Sequence, residues 1–119
     1  MISTAAALAG CASRSIDQQV DALYERMTPE ERLAQLHGTY LADYFDENGV
    51  LDTAKCAELL PYGVGHFSQY AVTQHKSPDE LRDMVKTVQD YLINETPAGI
   101  PAIFHEEVIS GFAGRGATV

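Results

Sequence analysis

The stretch from Ser77 to Leu92 constrains the fold of this chain more than any other. Ser77-Pro78-Asp79-Glu80 is a capping box with proline at the first helical position, where a missing N–H costs nothing. Behind it Leu81, Met84, Val85, Val88 and Leu92 recur at helical spacing and make one apolar face. A short apolar run flanks the helix on each side. Tyr62-Gly63-Val64-Gly65-His66-Phe67 precedes it, and Ile100 to Phe104 follows the break at Pro97-Ala98-Gly99. Both runs read as strands, and the two glycines of the first mark a close approach by neighbouring backbone or side chains. Strand, helix, strand is a βαβ unit, which sets parallel strands under a crossover helix. Two parallel strands cannot bury both their faces alone. The chain therefore reads as α/β and incomplete, a (β/α) barrel or doubly wound sheet truncated after about two strands.

Two amphipathic helices precede this unit. Ser15 with Gln18 and Thr28 with Glu31 repeat the capping box, the second with Pro29 at its first position. Ile16, Val20, Leu23 and Met27 form the stripe of the first helix. Leu33 and Leu36 are expected to face inward from the second, and Gly38 to stop it. Thr39 to Gly49 reads as a turn-rich loop with aromatic content, and Asp52 as the cap of a short helix that Pro61 ends. Gly111 to Gly116 reads as a loop.

With 119 residues, there is room for one small domain or a piece of a larger one. A hydrophobic share of 45% sets disorder and collagen-like structure aside. Eight Lys and Arg against 17 Asp and Glu leave a formal charge of -9. Such a surface repels phosphate backbones and anionic headgroups, which argues against nucleic acid as a partner. It is compatible with neutral substrates such as sugars without pointing to them. No run of apolar residues is long enough for a membrane-spanning helix.

The uncharged, alanine-rich start ends in Leu8-Ala9-Gly10-Cys11, which resembles the lipobox of bacterial lipoproteins, where the cysteine is lipidated and becomes the mature N-terminus. The usual basic n-region is missing, and the apolar core runs only from Ile2 to Ala9. Residues 1–15 thus read as the tail of a lipoprotein signal, with a ragged alanine-rich terminus as the alternative. The expectation is an anchor at Cys11 to a bacterial membrane and a periplasmic or outer-membrane lipoprotein, with residues 16–119 as the incomplete barrel domain. Cys56 is then left without a partner, so no disulfide framework is expected.

Several motifs fail on inspection. His105-Glu106-Glu107-Val108-Ile109 begins like the zinc motif H-E-x-x-H but has Ile109 in place of the second histidine, so no metal site is expected. The glycines at 111, 114 and 116 lack the Lys-Ser or Lys-Thr of a P-loop and follow loop sequence, unlike a dinucleotide fingerprint. No G-x-S-x-G is present, and Ser110 lacks the elbow a nucleophile needs. Asn94-Glu95-Thr96 fits a glycosylation sequon, a tripeptide common by chance. Among the histidines, His37 beside a helix stop caps carbonyls or meets solvent, and His75 lies in a polar loop. His66, at a strand end, either lines a site or, more ordinarily, is packed.

Gly99-Ile100-Pro101-Ala102-Ile103-Phe104-His105-Glu106-Glu107-Val108-Ile109-Ser110-Gly111, followed by Gly116-Ala117-Thr118-Val119, resembles the second barrel-strand region of glycoside hydrolase family 3, which contains β-glucosidases and β-xylosidases. Val20 to Leu36 is similar to that family's opening helix pair, and Gly63-Val64-Gly65-His66-Phe67 resembles its first strand. The resemblance covers residues 17–119 in the right order. It implies the N-terminal part of a (β/α)8 TIM-like barrel in a retaining, exo-acting β-glycosidase, with a β-linked oligosaccharide or glycoside as substrate and no cofactor. In such enzymes an aspartate attacks the anomeric carbon, while a glutamic acid about 5–5.5 Å away protonates the leaving oxygen and then activates water. The resemblance puts both beyond Val119, so this chain is expected to carry no catalytic residue and to be inactive alone.

Glu106 and Glu107 do not substitute for that pair, because consecutive side chains of an extended segment point to opposite faces. The resemblance instead aligns Glu107 with the family's acidic residue that hydrogen-bonds hydroxyls of the non-reducing terminal sugar. A carboxylate suits that task because it accepts two donors in charge-assisted bonds. The alternative is a loop ion pair. Ser110 stands where many members have histidine, and Glu107 is longer than the aspartate of many glucosidases, a length that favours a pentose. Rival readings are a non-catalytic carbohydrate-binding or interaction lipoprotein that keeps the early barrel elements, and an unrelated α/β fragment.

Overall fold

The computed structural model describes residues 14–71, 76–109 and 111–117. Its elements are α1 (Ile16–Arg26), α2 (Pro29–Ala34), β1 (Gly38–Tyr40), a 3-10 turn (Leu41–Tyr44), α3 (Thr53–Leu59), β2 (His66–Ser68), α4 (Pro78–Glu95) and β3 (Ile103–His105). All three capping boxes form. Ser15, Thr28 and Ser77 accept from the backbone N–H of Gln18, Glu31 and Glu80, whose side chains reach back to the caps. Asp52 caps α3 by accepting from the Lys55 N–H at 2.9 Å.

The sheet corrects the expected strand count. It holds three strands in the order β1-β2-β3, all parallel. Gly38, expected to stop a helix, opens β1. The helix has already ended at Ala34, and Leu36 and His37 donate N–H bonds back to Leu33 and Ala34. The register sets Gly38, His66 and Ile103 side by side, then Thr39, Phe67 and Phe104, then Tyr40, Ser68 and His105. Because side chains alternate, the middle row points to one face and the outer rows to the other.

The Thr39–Phe67–Phe104 face carries the core. Phe67 is fully buried and stacks on Phe104 with ring centroids 5.2 Å apart. Around it pack Leu41 and Tyr44 from the 3-10 turn, Cys56 and Leu60 from the α3 region, and Met84, Val88 and Leu92 from α4. The periodicity of α4 is thus buried as read, with Val85 packed against the cluster. Burial of Phe67, Leu60, Leu92 and Val88 contributes about 1.5–3 kcal/mol per side chain before conformational entropy is subtracted. Burial also pushes the Cys56 thiol up to about 11 and raises the Tyr44 phenol.

Gln89 ties α4 to β3. Its side-chain amide donates to the Ala102 carbonyl at 2.8 Å and accepts from the Ala102 N–H at 2.9 Å. At the other end of the sheet, the Gly65 N–H donates to the carbonyls of Ala34 and His37, which locks the end of α2 under β2. The helix-one stripe behaves differently from its reading. Ile16 and Val20 are exposed, and only its C-terminal end is covered, where Met27 is buried beside Leu23, Glu31, Pro97 and Ala98. Leu33 and Leu36, expected inward, are 69% and 80% exposed. Spacing defines an apolar stripe, but not a partner for it.

Candidate functional site

Parallel strands all end at one edge, and sites in sheets with interleaved helices collect there. In this chain that edge is formed by Tyr40 closing β1, Ser68 closing β2 with the turn through Ala71, and Glu106 and Glu107 after β3. The two glutamates are divided as backbone alternation requires. Glu106 is half-buried, and its carboxylate accepts the Ala71 N–H. Glu107, the sugar contact expected from the sequence, is exposed to solvent one residue further on. They do not form a facing pair.

The open face of the sheet adds a constellation that the sequence did not reveal. His66 Nδ1 and His105 Nε2 lie 2.8 Å apart, one donating to the other. The imidazole rings are tilted by 44° with centroids 4.9 Å apart. Gly38 makes room for this pair, since a Cβ there would sit 2.0 Å from His66 Cε1. His66 opens β2 rather than ending it, half-buried and hydrogen-bonded through its ring to His105. The two histidines are far apart in sequence, and only the β2–β3 register brings them together. Tyr40 and Ile103 complete the face and are more than half exposed.

The turn after β2 is tightly specified. Gln69 has φ +51, a left-handed conformation rare for a residue with a side chain. Its N–H donates to the His105 carbonyl at 3.1 Å. The Tyr70 ring meets Phe104 edge-on at 5.6 Å. On the helix side of this turn lies a cleft of about 410 Å³, lined by Tyr70, Leu81, Arg82, Val85, Phe112 and Arg115. Neither histidine and neither glutamate lines it.

His37 is exposed, as one reading of it held, and its carbonyl accepts from Gly65 and His66. Cys11, His75 and Ser110 lie outside the described residues. Among the described residues, no three His, Cys, Asp or Glu side chains gather as a metal ion would require. No described helix is long and apolar enough to cross a membrane.

No family model matches the chain. Among curated proteins it is similar to one from Formosa agariphila named "Putative beta-xylosidase", with 28% identity over 110 residues. The matched region is 90% of this chain and 14% of that relative, so the chain spans about a seventh of the relative's length. The similarity is distant and partial, and relative to a glycosidase-type protein the chain is fragment-sized.

Proposed function

We propose that this chain is the opening part of the (β/α)8 barrel of a retaining, exo-acting β-glycosidase of glycoside hydrolase family 3, which removes terminal xylose or glucose units from β-linked saccharides. Glu107 binds hydroxyls of the non-reducing terminal sugar, the nucleophile and acid/base come from later in the full protein, and Cys11 anchors the exported enzyme to a bacterial membrane. The observation that carries this reading is the exposed Glu107 at the carboxyl edge of a sequentially ordered parallel sheet. A barrel builds its site at that edge. The partial likeness to a protein named for β-xyloside cleavage adds support.

The chemistry assigned to Glu107 is binding. An ionised carboxylate has acceptor capacity for two vicinal hydroxyls, and an exposed one has no internal partner to surrender first. The added methylene relative to aspartate brings the carboxylate closer to the sugar, which suits a pentose that lacks the hydroxymethyl group.

The test is to read the genomic frame on both sides of this segment, express the whole product, and assay aryl β-xylosides and β-glucosides. Hydrolysis with retention is expected. Glu107→Ala should lower kcat/KM by about 10²–10³, the loss of two charge-assisted hydrogen bonds. Glu107→Asp should shift preference toward the glucoside, and an unchanged ratio would sink the pentose assignment. A product that binds xylosides but cleaves none would replace the enzyme reading with a carbohydrate-binding one.

A further inference from the structure

We propose that Glu106 is a positioning residue, which fixes the turn after β2 as one wall of the sugar site beside Glu107. This rests on the glycosidase reading above and deepens it. Adjacent carboxylates at a strand end invite the idea that both meet the substrate, yet Glu106 accepts the N–H of Ala71, a residue far away in sequence. Ala71 is itself buried. The bond therefore crosses from the end of β3 to the turn that leaves β2.

That turn needs holding. Gln69 at φ +51 carries a side chain in a conformation where Cβ crowds the backbone, and such strain persists only where surrounding contacts over-determine it. Among the described residues, ties to it come from consecutive residues at the end of β3. Phe104 receives the Tyr70 ring edge-on, the His105 carbonyl accepts the Gln69 N–H, and the Glu106 carboxylate accepts the Ala71 N–H. His105 adds a side-chain bond to His66 at the start of β2. Glu107 is the next residue of the same strand end, so the wall and the sugar contact share one scaffold. The Glu106 bond is charge-assisted, and such bonds are about twice as strong as neutral ones. Without it the turn relaxes toward ordinary φ, and the wall moves relative to Glu107.

The experiment uses the product of the whole reading frame and two variants, Glu106→Ala and Glu106→Gln, the second keeping an acceptor oxygen. Hydrogen exchange at the Ala71 amide should accelerate at least tenfold in Glu106→Ala and less than threefold in Glu106→Gln. With an aryl β-xyloside, Glu106→Ala should raise KM about tenfold with kcat within twofold, and Glu106→Gln should restore most of the loss. Adding Gln69→Gly to Glu106→Ala removes the strain that the tie opposes, and should recover KM in part. This double variant also serves if Glu106→Ala alone folds poorly.

Equal loss of kcat in both variants with Ala71 exchange unchanged would mean that the carboxylate acts on substrate, and would overturn the proposal. Faster exchange with unchanged KM would reduce Glu106 to a structural tie and overturn it equally. A parent enzyme that cleaves no glycoside would remove the reading beneath the proposal and overturn it by that route. That outcome is recognisable because Ala71 exchange would still respond to Glu106→Ala.

Discussion

Replacing Gly65 with alanine probes the tightest site for an added Cβ among the described glycines. The new Cβ would lie 1.9 Å from the carbonyl oxygen of Gln35 and 2.6 Å from its carbon. Non-bonded carbon and oxygen approach to about 3.3 Å, so more than an ångström must be found. Neither side yields easily. The Gly65 N–H donates to Ala34 at 3.0 Å and to His37 at 3.1 Å, and its carbonyl accepts from Ile103 at 2.9 Å. Moving Gly65 away from α2 breaks the first two bonds, and tilting it disturbs the third. Overpacking costs about 1–3 kcal/mol, and backbone groups deprived of partners add about 1–3 kcal/mol. The expected destabilisation is about 3–5 kcal/mol. At about 4 °C per kcal/mol this lowers Tm by about 12–20 °C. Gly63 provides the comparison. It has φ +85, but the nearest atoms to an added Cβ are 3.7 Å and 3.8 Å away. Gly63→Ala therefore carries the left-handed penalty alone, about 1–2 kcal/mol. Gly63→Asn should cost less, since asparagine tolerates that region. Thermal melts followed by circular dichroism should rank Gly65→Ala as much the worst of the three. A Gly65→Ala protein that melts within 2 °C of the parent, or above Gly63→Ala, would refute the described approach of α2 to β2.

Three other perturbations follow from the same packing. Gln89→Ala strips the Ala102 N–H and carbonyl of their partners, and should cost about 2–4 kcal/mol in urea unfolding, far above the norm for a helix-surface alanine. Cys56, fully buried with its thiol pushed up to about 11, should resist alkylation at pH 8 until the protein is unfolded. Its folded pKa lies above the ordinary thiol value, so the associated stability is intact below that value and is lost as pH rises from about 9 through about 11. Cys56→Ala should flatten that alkaline decline. At the acid end, hydrogen bonds from the Ser77 hydroxyl and N–H hold the Glu80 carboxyl below its usual range. Its contribution is therefore present above the ordinary carboxylate pKa and fades as pH falls through the lowered one. Ser77→Ala should cost about 1 kcal/mol and blunt that dependence in pH-resolved melts.

What the sequence disclosed follows the range of the interactions involved. The caps of α1, α2 and α4 are settled within four residues, and each appears where its signature lies. The apolar stripe of α4 was legible because the sheet in this chain covers it. The stripe of α1 was equally regular, yet Ile16 is 78% exposed. Strand β1 has three residues and its pattern is too short to register as periodic, while Gly38 so near a helix end mimics a stop. At the candidate site, Glu107 was reached through resemblance. The His66–His105 bond and the hold of Glu106 on Ala71 were not, because both depend on the register of β2 against β3. One residue of slip would turn His66 onto the helix face and Phe67 into the open.

That open face also weighs between the two architectures that a parallel sheet allows. The helices α3 and α4 both pack on the Phe67 face, while the other face keeps Tyr40 and Ile103 more than half exposed. In a doubly wound sheet it would receive a second layer of helices, and strands buried that way are nearly continuous in Val, Ile and Leu. The strands here offer Gly38, Tyr40, His66, Ser68, Ile103 and His105, of which Ile103 alone is aliphatic. An apolar helix laid over them would bury an imidazole pair, a hydroxyl and a phenol against groups that cannot hydrogen-bond, at several kcal/mol in all. A barrel interior is likewise packed in layers where Val, Ile and Leu dominate, but it opens at the carboxyl edge of the strands. In the row nearest that edge, Ser68 lies between Tyr40 and His105. The polar character increases toward the edge that bears Glu107. This face is therefore a poor seat for an apolar helix layer, the cover that a doubly wound sheet would place on it.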